Sequence, residues 1–586
     1  MNKTLIISKI ADEVSGEKNK VYFDYNCLAD SSYLSSDGLK VFEGYGNNNQ
    51  LIKEDNANVG KIYNNLIREI SIIFNRYHQE KFSNRQWEIL IGPWLLSYIK
   101  TLLFRIKSLQ ICIESEKINE VIISDTSNYN FSSFETGGIF ECMLNTEWDF
   151  KFNSRIIKNL DLKNVNLKFI TKKQSFNSSY KYFNVFKKNK KKFLFANIIQ
   201  ILNLFSFKKK MIVEETYLGL KNELLLQILN KQIPIILKPK KINYQTKNHQ
   251  LRKELSMNFF NNDNEIEKII KNFFFDDLPL VFLESYKDLK KTVSSNNWPV
   301  NPKIIFTSNS FYSNEQFKYY VMSSLPKTKY VVGQHGNGYG EFITHDYLPE
   351  YRTCDFFLTW GNWSREKRKK DLTMFNFILS NKKISFNKNN NKILIVNRTL
   401  GYPVETFEKI QSYKNHYTNK ILFLKNLIKK LQCNLVYRLH TAHKLRTPNE
   451  KREITKIFSS IEVREGGTDI YKLFNKSKLV VFTYYSTGFL ELISSTLPTV
   501  CLQENILNLI KDENKKIFQK MIDANILFLN FKDLEYFLEK NYNNIHDWWM
   551  SDEIQNLRKE ASLLLSKKPD KNALKKLSNT LNTIAH

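Results

Sequence analysis

A short buried strand runs into a glycine-rich loop in the stretch Val331-Val332-Gly333-Gln334-His335-Gly336-Asn337-Gly338-Tyr339-Gly340. Glycine lets the backbone turn through positive φ and approach a ligand closely. Open α/β sheets bind ligands in loops at the carboxyl ends of their strands, and His335 can exchange a proton near neutral pH. The same pattern fits a tight turn with an incidental histidine, so the rest of the chain has to decide between the two.

Short apolar segments alternate with helical patterns on both sides of this loop. Before it and just after it we predict strands at Ile212-Val213, Ile233 to Leu237, Leu280 to Glu284, Ile304 to Thr307 and Phe356 to Gly361. A second series covers Ile393 to Val396, Leu435 to Leu439, Ile461 to Val463, Leu479 to Phe482 and Pro498 to Leu502. This alternation predicts an α/β fold of GT-B type, with two Rossmann-type domains facing across a cleft and helical additions in the first.

The polar segment Phe386 to Asn391 sets the predicted domain boundary. Residues 1–385 form the predicted acceptor-side domain, with a helical segment at about 61–115. Residues 386–545 form the predicted nucleotide-donor domain, and the helical residues 546–586 can cross back onto the first. Within the helical segment, Ser83 is the expected N-cap, and Gly92-Pro93 is expected to break or kink the helix. Leu5-Ile6-Ile7 is the expected edge strand.

The formal net charge of +29, from 88 Lys+Arg against 59 Asp+Glu, calls for an anionic partner. Nucleic acid, anionic lipid and nucleotide-activated substrates all qualify, although many lysines lie in Asn/Lys/Ile-rich stretches. We expect no nucleic-acid partner, because the lysine clusters flank apolar residues instead of marking a reading helix. The 42% apolar and 14% aromatic content excludes a largely disordered chain.

The six scattered cysteines form no C-x-x-C pair, which indicates neither zinc nor a disulfide framework and favours a reducing cytoplasm. No apolar run is long enough to suggest a membrane span. The basic segment 187–210, FLFANIIQILNLFSF flanked by lysines, can lie on an anionic membrane surface. Alternatively, it is an insertion helix packed on its own domain. We predict a cytoplasmic protein, peripheral at the inner face of the cytoplasmic membrane if the first interpretation holds.

Two loops of the second domain carry the other predicted chemistry. The turn Ser486-Thr487-Gly488 opens a helix whose free N–H groups suit a phosphate. Arg438 and His440, at a strand end, would add donors to the same anion. Glu491, one turn into the helix, would reach a ribose hydroxyl.

Further candidates surround the first loop or lie in the helical segment. Gln334, Gly336 and Tyr339 flank His335. Glu341 is expected to be an exposed carboxylate. Substrate-cleft candidates in the helical segment, for which packing is an equal alternative, are His78, Arg85 and Trp94. No D-x-D motif occurs, so we expect neither a metal site nor a cofactor beyond the nucleotide-sugar co-substrate.

Five motifs in order carry a resemblance over most of the chain: Asn75 to Trp94, Ile305 to Phe317, Gly333 to Gly340, Leu358 to Gly361 and Phe482 to Glu491. Together they resemble a transferase family of O-antigen gene clusters, first defined in leptospires. More distantly, the chain resembles GT-B CDP-glycerol glycerophosphotransferases and capsule transferases that use CMP-sugars. That resemblance implies a base role for His335 and a phosphate grip by Arg438, His440, Ser486 and Thr487.

Two departures from the glycerophosphotransferase pattern, Tyr484 in place of Asp and Thr441 in place of Pro, put CDP-glycerol in doubt. We therefore predict a glycosyltransferase that moves a sugar from a nucleotide-activated donor, CMP- or another nucleotide-linked, to a lipid-linked or growing surface glycan. The alternatives are a CDP-alditol phosphotransferase on the same fold and a non-catalytic glycan-assembly protein.

Overall fold

The computed structural model describes residues 3–28, 38–42, 44–45, 48–127, 129–170, 211–259, 264–363, 370–398, 413–431, 433–446 and 449–586. The basic segment 187–210 lies outside these residues. Its membrane contact therefore stays a prediction.

The first sheet is parallel, with the strand order β3-β2-β1-β4-β5. Its strands are β1 Thr4–Ile6, β2 Lys20–Tyr22, β3 Lys40–Val41, β4 Glu120–Ser124 and β5 Asn166–Ile170. The expected edge strand at Leu5-Ile6-Ile7 is wrong, because β1 pairs with both β2 and β4. All three β1 residues are buried, as in strands covered on both faces.

The second sheet carries the glycine-rich loop and has the order β10-β9-β8-β7-β6. Its strands are β6 Met211–Glu214, β7 Ile304–Thr307, β8 Lys329–Gly333, β9 Phe356–Thr359 and β10 Asp371–Thr373. The strands expected at 233–237 and 280–284 are wrong: the first is irregular, and Leu280–Phe282 is a 3-10 helix. Pro234 and Pro279 remove backbone donors there, and a short buried apolar run does not by itself specify a strand.

The third sheet has the order β13-β12-β11-β14-β15-β16, the doubly wound order of a Rossmann fold. Its parallel strands are β11 Lys392–Val396, β12 Asn434–Arg438, β13 Glu462–Arg464, β14 Leu479–Phe482, β15 Thr499–Leu502 and β16 Leu527–Phe528. The predicted α/β class of GT-B type is confirmed. The structure adds that residues 1–385 contain two sheets, not one.

Helices fill the connections and cover the sheets. In the first two sheets' region they are α1 Lys9–Val14, α2 Asn49–His78, α3 Asn84–Glu116, α4 Gly138–Met143, α5 Thr146–Lys158, α6 Leu220–Leu229, α7 His249–Ser256, α8 Glu265–Asp277, α9 Tyr286–Ser294, α10 Ser310–Ser313, α11 Glu315–Ser324 and α12 Pro349–Thr353. The later ones are α13 Tyr413–Leu431, α14 His443–Arg446, α15 Glu450–Ile457, α16 Ile470–Phe474, α17 Thr487–Leu492, α18 Ile506–Leu509, α19 Asp512–Asp523, α20 Phe531–Asn541, α21 Ile545–Met550, α22 Asp552–Leu565 and α23 Ala573–Ala585.

Helix α3 is the buried centre of the first region. Ser83 caps it: Ser83 Oγ accepts from Gln86 N at 3.3 Å, and Gln86 Oε1 accepts from Ser83 N at 3.0 Å. A break at Gly92-Pro93 is wrong, because burial on all sides holds the helix together through Pro93, and a kink there stays a prediction. Within the described residues, α3 alone is long and apolar enough to cross a membrane. Its apolar window lies entirely inside the protein.

The C-terminal helices return to the second sheet. Lys567 N donates to Trp360 O at 2.8 Å, and Asn376 N donates to Lys567 O at 2.8 Å. Leu577 and Leu581 of α23 pack into the core formed around β6 to β9. The chain thus passes from the second sheet to the third and back, which fixes the two sheets relative to each other.

Candidate active site

The loop after β8 holds His335 in a chain of hydrogen bonds. His335 Nδ1 lies 2.5 Å from the hydroxyl oxygen of Tyr339, and that hydroxyl donates to Glu350 Oε1 at 2.6 Å. Glu350 lies in the first turn of α12, and both Tyr339 and Glu350 are buried. The imidazole is therefore oriented by a tyrosine that a buried carboxylate positions in turn.

Burial determines the protonation of this chain. It lowers the pKa of His335 to about 4, so the imidazole is neutral near neutral pH. Burial also raises the pKa of Glu350 and, with the neighbouring Glu350, raises the pKa of Tyr339 far above its usual range. A neutral histidine with one ring nitrogen already bonded has the protonation state of a general base.

The His335 loop contacts the Ser486-Thr487-Gly488 turn directly. Thr487 Oγ1 donates to Asn337 Oδ1 at 3.1 Å, and Asn337 N donates to Thr487 Oγ1 at 3.2 Å. Asn337 Nδ2 also donates to Tyr485 O at 3.3 Å. A Cβ at Gly336 would lie 3.1 Å from Thr487 Oγ1, so glycine permits the close approach. The structure thus brings the end of β8 and the end of β14 into one site.

Residues just after the loop extend this contact. Asn514 Nδ2 donates to Gly340 O at 2.7 Å, and Lys511 N donates to Glu341 O at 2.8 Å. Phe342 and Ile510 form an isolated antiparallel bridge. The His335 loop is therefore held between the second and third sheets by backbone hydrogen bonds as well as side chains.

Glu341 is not the exposed carboxylate that we expected. It is fully buried, and its Oε2 accepts from Gly338 N at 3.1 Å, where Gly338 has a φ of +97°. Burial raises the pKa of Glu341 to about 7, against the opposing effect of the Tyr485 hydroxyl and the Gly338 amide. Loop position suggested exposure, but the facing third-sheet domain covers the side chain.

Arg438 stands at the carboxyl end of β12, next to the end of β11. Its Nη2 donates to Gly466 O at 2.6 Å, whereas its buried Nε has no hydrogen-bond partner among the described residues. Desolvation lowers the pKa of Arg438, against the effect of the nearby Tyr484 hydroxyl. A partly buried guanidinium with an unused donor is suited to binding an anion.

The remaining candidates of the donor side lie around the same edge. Ser486 is the N-cap residue of α17, but its side chain makes no capping hydrogen bond, and Ser486 Oγ has no partner among the described residues. His440 Nδ1 accepts from Ala442 N at 3.1 Å, and its ring centroid lies 6.2 Å from that of Tyr484. Gly488 lies against the ring of Phe482.

Two candidates already form hydrogen bonds with other residues of the protein. Glu491 is buried, and its Oε2 accepts from the Tyr471 hydroxyl at 2.5 Å. Gln334 is fully buried. Its Oε1 accepts from Trp360 N at 2.8 Å and Trp363 Nε1 at 3.1 Å. Gln334 therefore ties β8 to the segment after β9, and the ribose role of Glu491 stays a prediction.

A family model describes nearly the whole chain, matching residues 3–577 as an LIC12162 family transferase. The chain belongs to this transferase family. This confirms the resemblance to the leptospiral transferase family that the five motifs indicated, and it makes the protein a transferase. Among curated proteins, none matches the sequence.

Solved structures also share similarity with this LIC12162 family transferase. The S. aureus MnaA–UDP structure is 13% identical over 64% of this chain and 96% of its own, with a TM-score of 0.38. The Neisseria meningitidis UDP-GlcNAc 2-epimerase bound to UDP-GlcNAc is 14% identical over 64% and 100%, with a TM-score of 0.37. The wall teichoic acid polymerase TagF is 10% identical over 51% and 83%, with a TM-score of 0.29.

Two helical-segment candidates of the transferase are packed inside its first region. His78 is buried, donates from Nε2 to Phe282 O at 3.0 Å and stacks on Tyr286 with ring centroids 4.0 Å apart. Burial lowers the pKa of His78 to about 4. Trp94 is fully buried and stacks on Tyr98 at 4.8 Å. These contacts correspond to the packing alternative.

Arg85, the third of these candidates, joins α3 to the segment after α12. Its Nε donates to Thr353 O at 2.8 Å, and its Nη2 lies 2.9 Å from Asp355 Oδ1. The structure does not bring Arg85, His78 or Trp94 into hydrogen-bond contact with His335. Arg85 contacts the end of α12, the helix that carries Glu350, whereas His78 and Trp94 pack in the core.

Sequence reasoning missed three residues of the site. Asn337 lies inside the glycine-rich loop, but nothing in the surrounding residues indicated that its hydrogen-bond partner is Thr487. Glu350 follows Pro349 at a helix start, a common position for an acidic residue. Arg398 follows β11 and acts electrostatically on Tyr484, as Arg438 does. Within the described residues, no three His, Cys, Asp or Glu side chains group as metal ligands.

Proposed function

We propose that this transferase is a glycosyltransferase that moves a sugar from a nucleotide-activated donor to a lipid-linked or growing surface glycan. The observation that carries the proposal is the contact of Asn337 with Thr487. It joins the loop with the candidate base to the turn with the candidate phosphate groups. A sugar that passes from a nucleotide phosphate to an acceptor hydroxyl needs the base and the phosphate-binding groups in one site.

His335 would act as the base through Nε2. Because the Tyr339 hydroxyl donates its one hydrogen to Glu350 Oε1, the hydrogen of the His335–Tyr339 bond lies on His335 Nδ1, which donates to the Tyr339 oxygen. The lone pair is then on Nε2, which has no hydrogen-bond partner among the described residues. A positioned base of this kind typically contributes about 10²–10⁴-fold in rate.

Arg438 and Ser486 would hold the donor phosphate. Their unpartnered Nε and Oγ supply hydrogen-bond donors at the end of β12 and after β14, the two strands that flank β11, as the developing anion requires. In the transfer, the acceptor oxygen bonds to the anomeric carbon as the bond from that carbon to the phosphate oxygen breaks. The acceptor proton passes to His335 Nε2, and the negative charge stays on the departing nucleotide.

Thermal shift with CMP, CDP, UDP, GDP and dTDP tests the donor half. We expect at least one nucleotide to raise Tm, and Arg438→Ala to abolish that rise. Arg464→Ala is the matched control, because Arg464 is exposed at the end of the next strand, β13, and pairs with Glu462 on the same strand. Failure of all five nucleotides, or equal shifts in Arg438→Ala and Arg464→Ala, would contradict the proposal.

A transfer assay tests the base half. The donor whose nucleotide gives the largest shift is supplied in radiolabelled form with membranes that carry the acceptor. His335→Ala should keep the thermal shift and lose transfer by about 10²-fold or more. Transfer at the wild-type rate by His335→Ala would remove histidine from the mechanism. Location at the inner face of the cytoplasmic membrane remains a proposal, which fractionation of the native protein tests.

A further inference from the structure

The loop after β6 has an unusual backbone. Glu215 and Tyr217 have φ of 49° and 64°, and Gly219 follows with a φ of 80°. Left-handed φ is uncommon for residues with a side chain, above all for bulky ones. Such strain persists only where the surroundings impose it, and it concentrates at ligand sites.

The surroundings of this loop do impose its conformation. Glu223, in the first turn of α6, accepts from Thr216 N at 2.8 Å and from Thr216 Oγ1 at 3.0 Å. Ser380 Oγ and Asn381 Nδ2 both donate to Leu218 O. The loop is thus fixed in a strained form by buried or partly buried bonds, although Tyr217 remains 39% exposed.

This loop is next to the base. Strands β6, β7 and β8 are neighbours, with Glu214 level with Thr307 and Thr307 with Val332. Since adjacent strands are about 4.8 Å apart, the ends of β6 and β8 are roughly 10 Å apart. Tyr217 and His335 follow these two strand ends, and a separation of about 10 Å leaves room for one pyranose ring.

Side-chain contacts connect the two ends. The Tyr217 hydroxyl donates to Asn309 Oδ1 at 3.2 Å, and Phe311, two residues further on, packs its ring 5.7 Å from that of His335. Tyr217 also acts electrostatically on Tyr339, the residue that orients His335. The strained loop and the base therefore border the same space.

Glu215 supplies a polar group beside the exposed ring. Its Oε2 accepts from Ser310 Oγ at 3.0 Å and from Asn309 Nδ2 at 3.5 Å. Its Oε1 makes no hydrogen bond to any described residue. The donor-side contacts do not use this carboxylate, and neither does the Tyr339–Glu350 chain.

We propose that Tyr217 and Glu215 form the acceptor subsite, binding a pyranose ring whose reacting hydroxyl points at His335 Nε2. The apolar C–H face of the sugar would stack on the Tyr217 ring, and a second sugar hydroxyl would donate to Glu215 Oε1. This inference rests on the proposed glycosyl transfer. It specifies the acceptor as a sugar, not a lipid phosphate.

Saturation-transfer NMR on the full-length protein tests this subsite with the methyl glycosides of glucose, galactose, mannose, rhamnose, N-acetylglucosamine and N-acetylgalactosamine as probes. We expect signal from at least one, strongest on ring C–H protons. Tyr217→Ala should reduce that signal at least fivefold, and Tyr217→Phe should keep it. Tyr536→Ala is the control, because Tyr536 is 60% exposed on α20, in the other half of the chain.

No signal from any methyl glycoside with the wild-type protein, or a signal that survives Tyr217→Ala, would overturn the subsite. Loss in both Tyr217→Ala and Tyr536→Ala would also overturn it, because the effect would not be local. The nucleotide thermal shifts separate the two proposals. Shifts that persist while no glycoside binds reject this inference alone, whereas absent shifts reject the transfer itself.

Discussion

Tyr339→Phe tests the hydrogen-bond chain that positions the base. The substitution keeps the ring and removes one hydroxyl, which bonds to Glu350 Oε1 at 2.6 Å and to His335 Nδ1 at 2.5 Å. It leaves a buried carboxylate without its donor and an imidazole without its orienting partner. We expect loss of both stability and transfer rate.

The expected magnitudes follow from these two bonds. A hydrogen bond contributes about 0.5–1.5 kcal/mol net, and about 1.5–3 when one partner is charged. The free energy of unfolding should therefore fall by about 2–4 kcal/mol. During transfer, His335 becomes an imidazolium whose Nδ1 proton needs the tyrosine oxygen. Losing one charged bond of about 1.5–3 kcal/mol lowers kcat by roughly 10- to 100-fold.

The assay measures kcat and donor KM alongside urea unfolding. Tyr351→Phe is the matched control, because its hydroxyl donates to Asp371 at 2.8 Å, and it lies on α12 beside Glu350. We expect Tyr351→Phe to lose stability with little change in kcat, and Tyr339→Phe to lower kcat at an unchanged donor KM. Equal effects of both variants on kcat would refute the positioning role of Tyr339.

Three further predictions concern the loop contact, the pH dependence and a helix cap. Asn337→Ala removes two hydrogen bonds between the loops, so kcat/KM should fall roughly tenfold, whereas Asn337→Asp, which keeps an acceptor for Thr487, should lose less. Because burial lowers the pKa of His335 to about 4, kcat/KM should stay level down to about pH 5 and fall by half near pH 4; a midpoint near 6.5 would contradict this. Between its unfolded pKa of about 6.5 and its folded pKa of about 4, His335 takes up a proton when the protein unfolds, so the free energy of unfolding falls as pH drops through this range. In His335→Gln the free energy of unfolding, measured in urea, should therefore depend less on pH. Ser83→Ala should lower the free energy of unfolding by about 1 kcal/mol, as circular dichroism measures, with kcat unchanged.

The local patterns of the sequence predicted the strands that carry the site. The segments before His335, Arg438 and Thr483 are apolar, short and followed by polar turns, and all three form parallel strands. The strand prediction failed for apolar runs that contain or adjoin proline; Leu280–Phe282, for example, is a 3-10 helix. There the missing backbone donor and the tertiary packing outweighed hydrophobicity.

Contacts between distant segments could not be read from the sequence. Glu350 reaches His335 through Tyr339, and the buried Glu341 contacts two distant residues, Lys511 through its backbone oxygen and Tyr485 through its carboxyl group. Burial of an ionisable group depends on what packs over it, and periodicity reports only the faces of single elements.

The sequence alone determined the α/β class, the family and the glycine-rich loop, because each depends on residue types at short spacing. Only the tertiary structure decided that Asn337 meets Thr487, that the pKa of His335 is lowered by burial, and that Tyr217 stands strained beside the base. The physical reason is that these properties depend on contacts such as Tyr217 with Asn309 and Asn337 with Thr487, which join residues 92 and 150 positions apart along the chain.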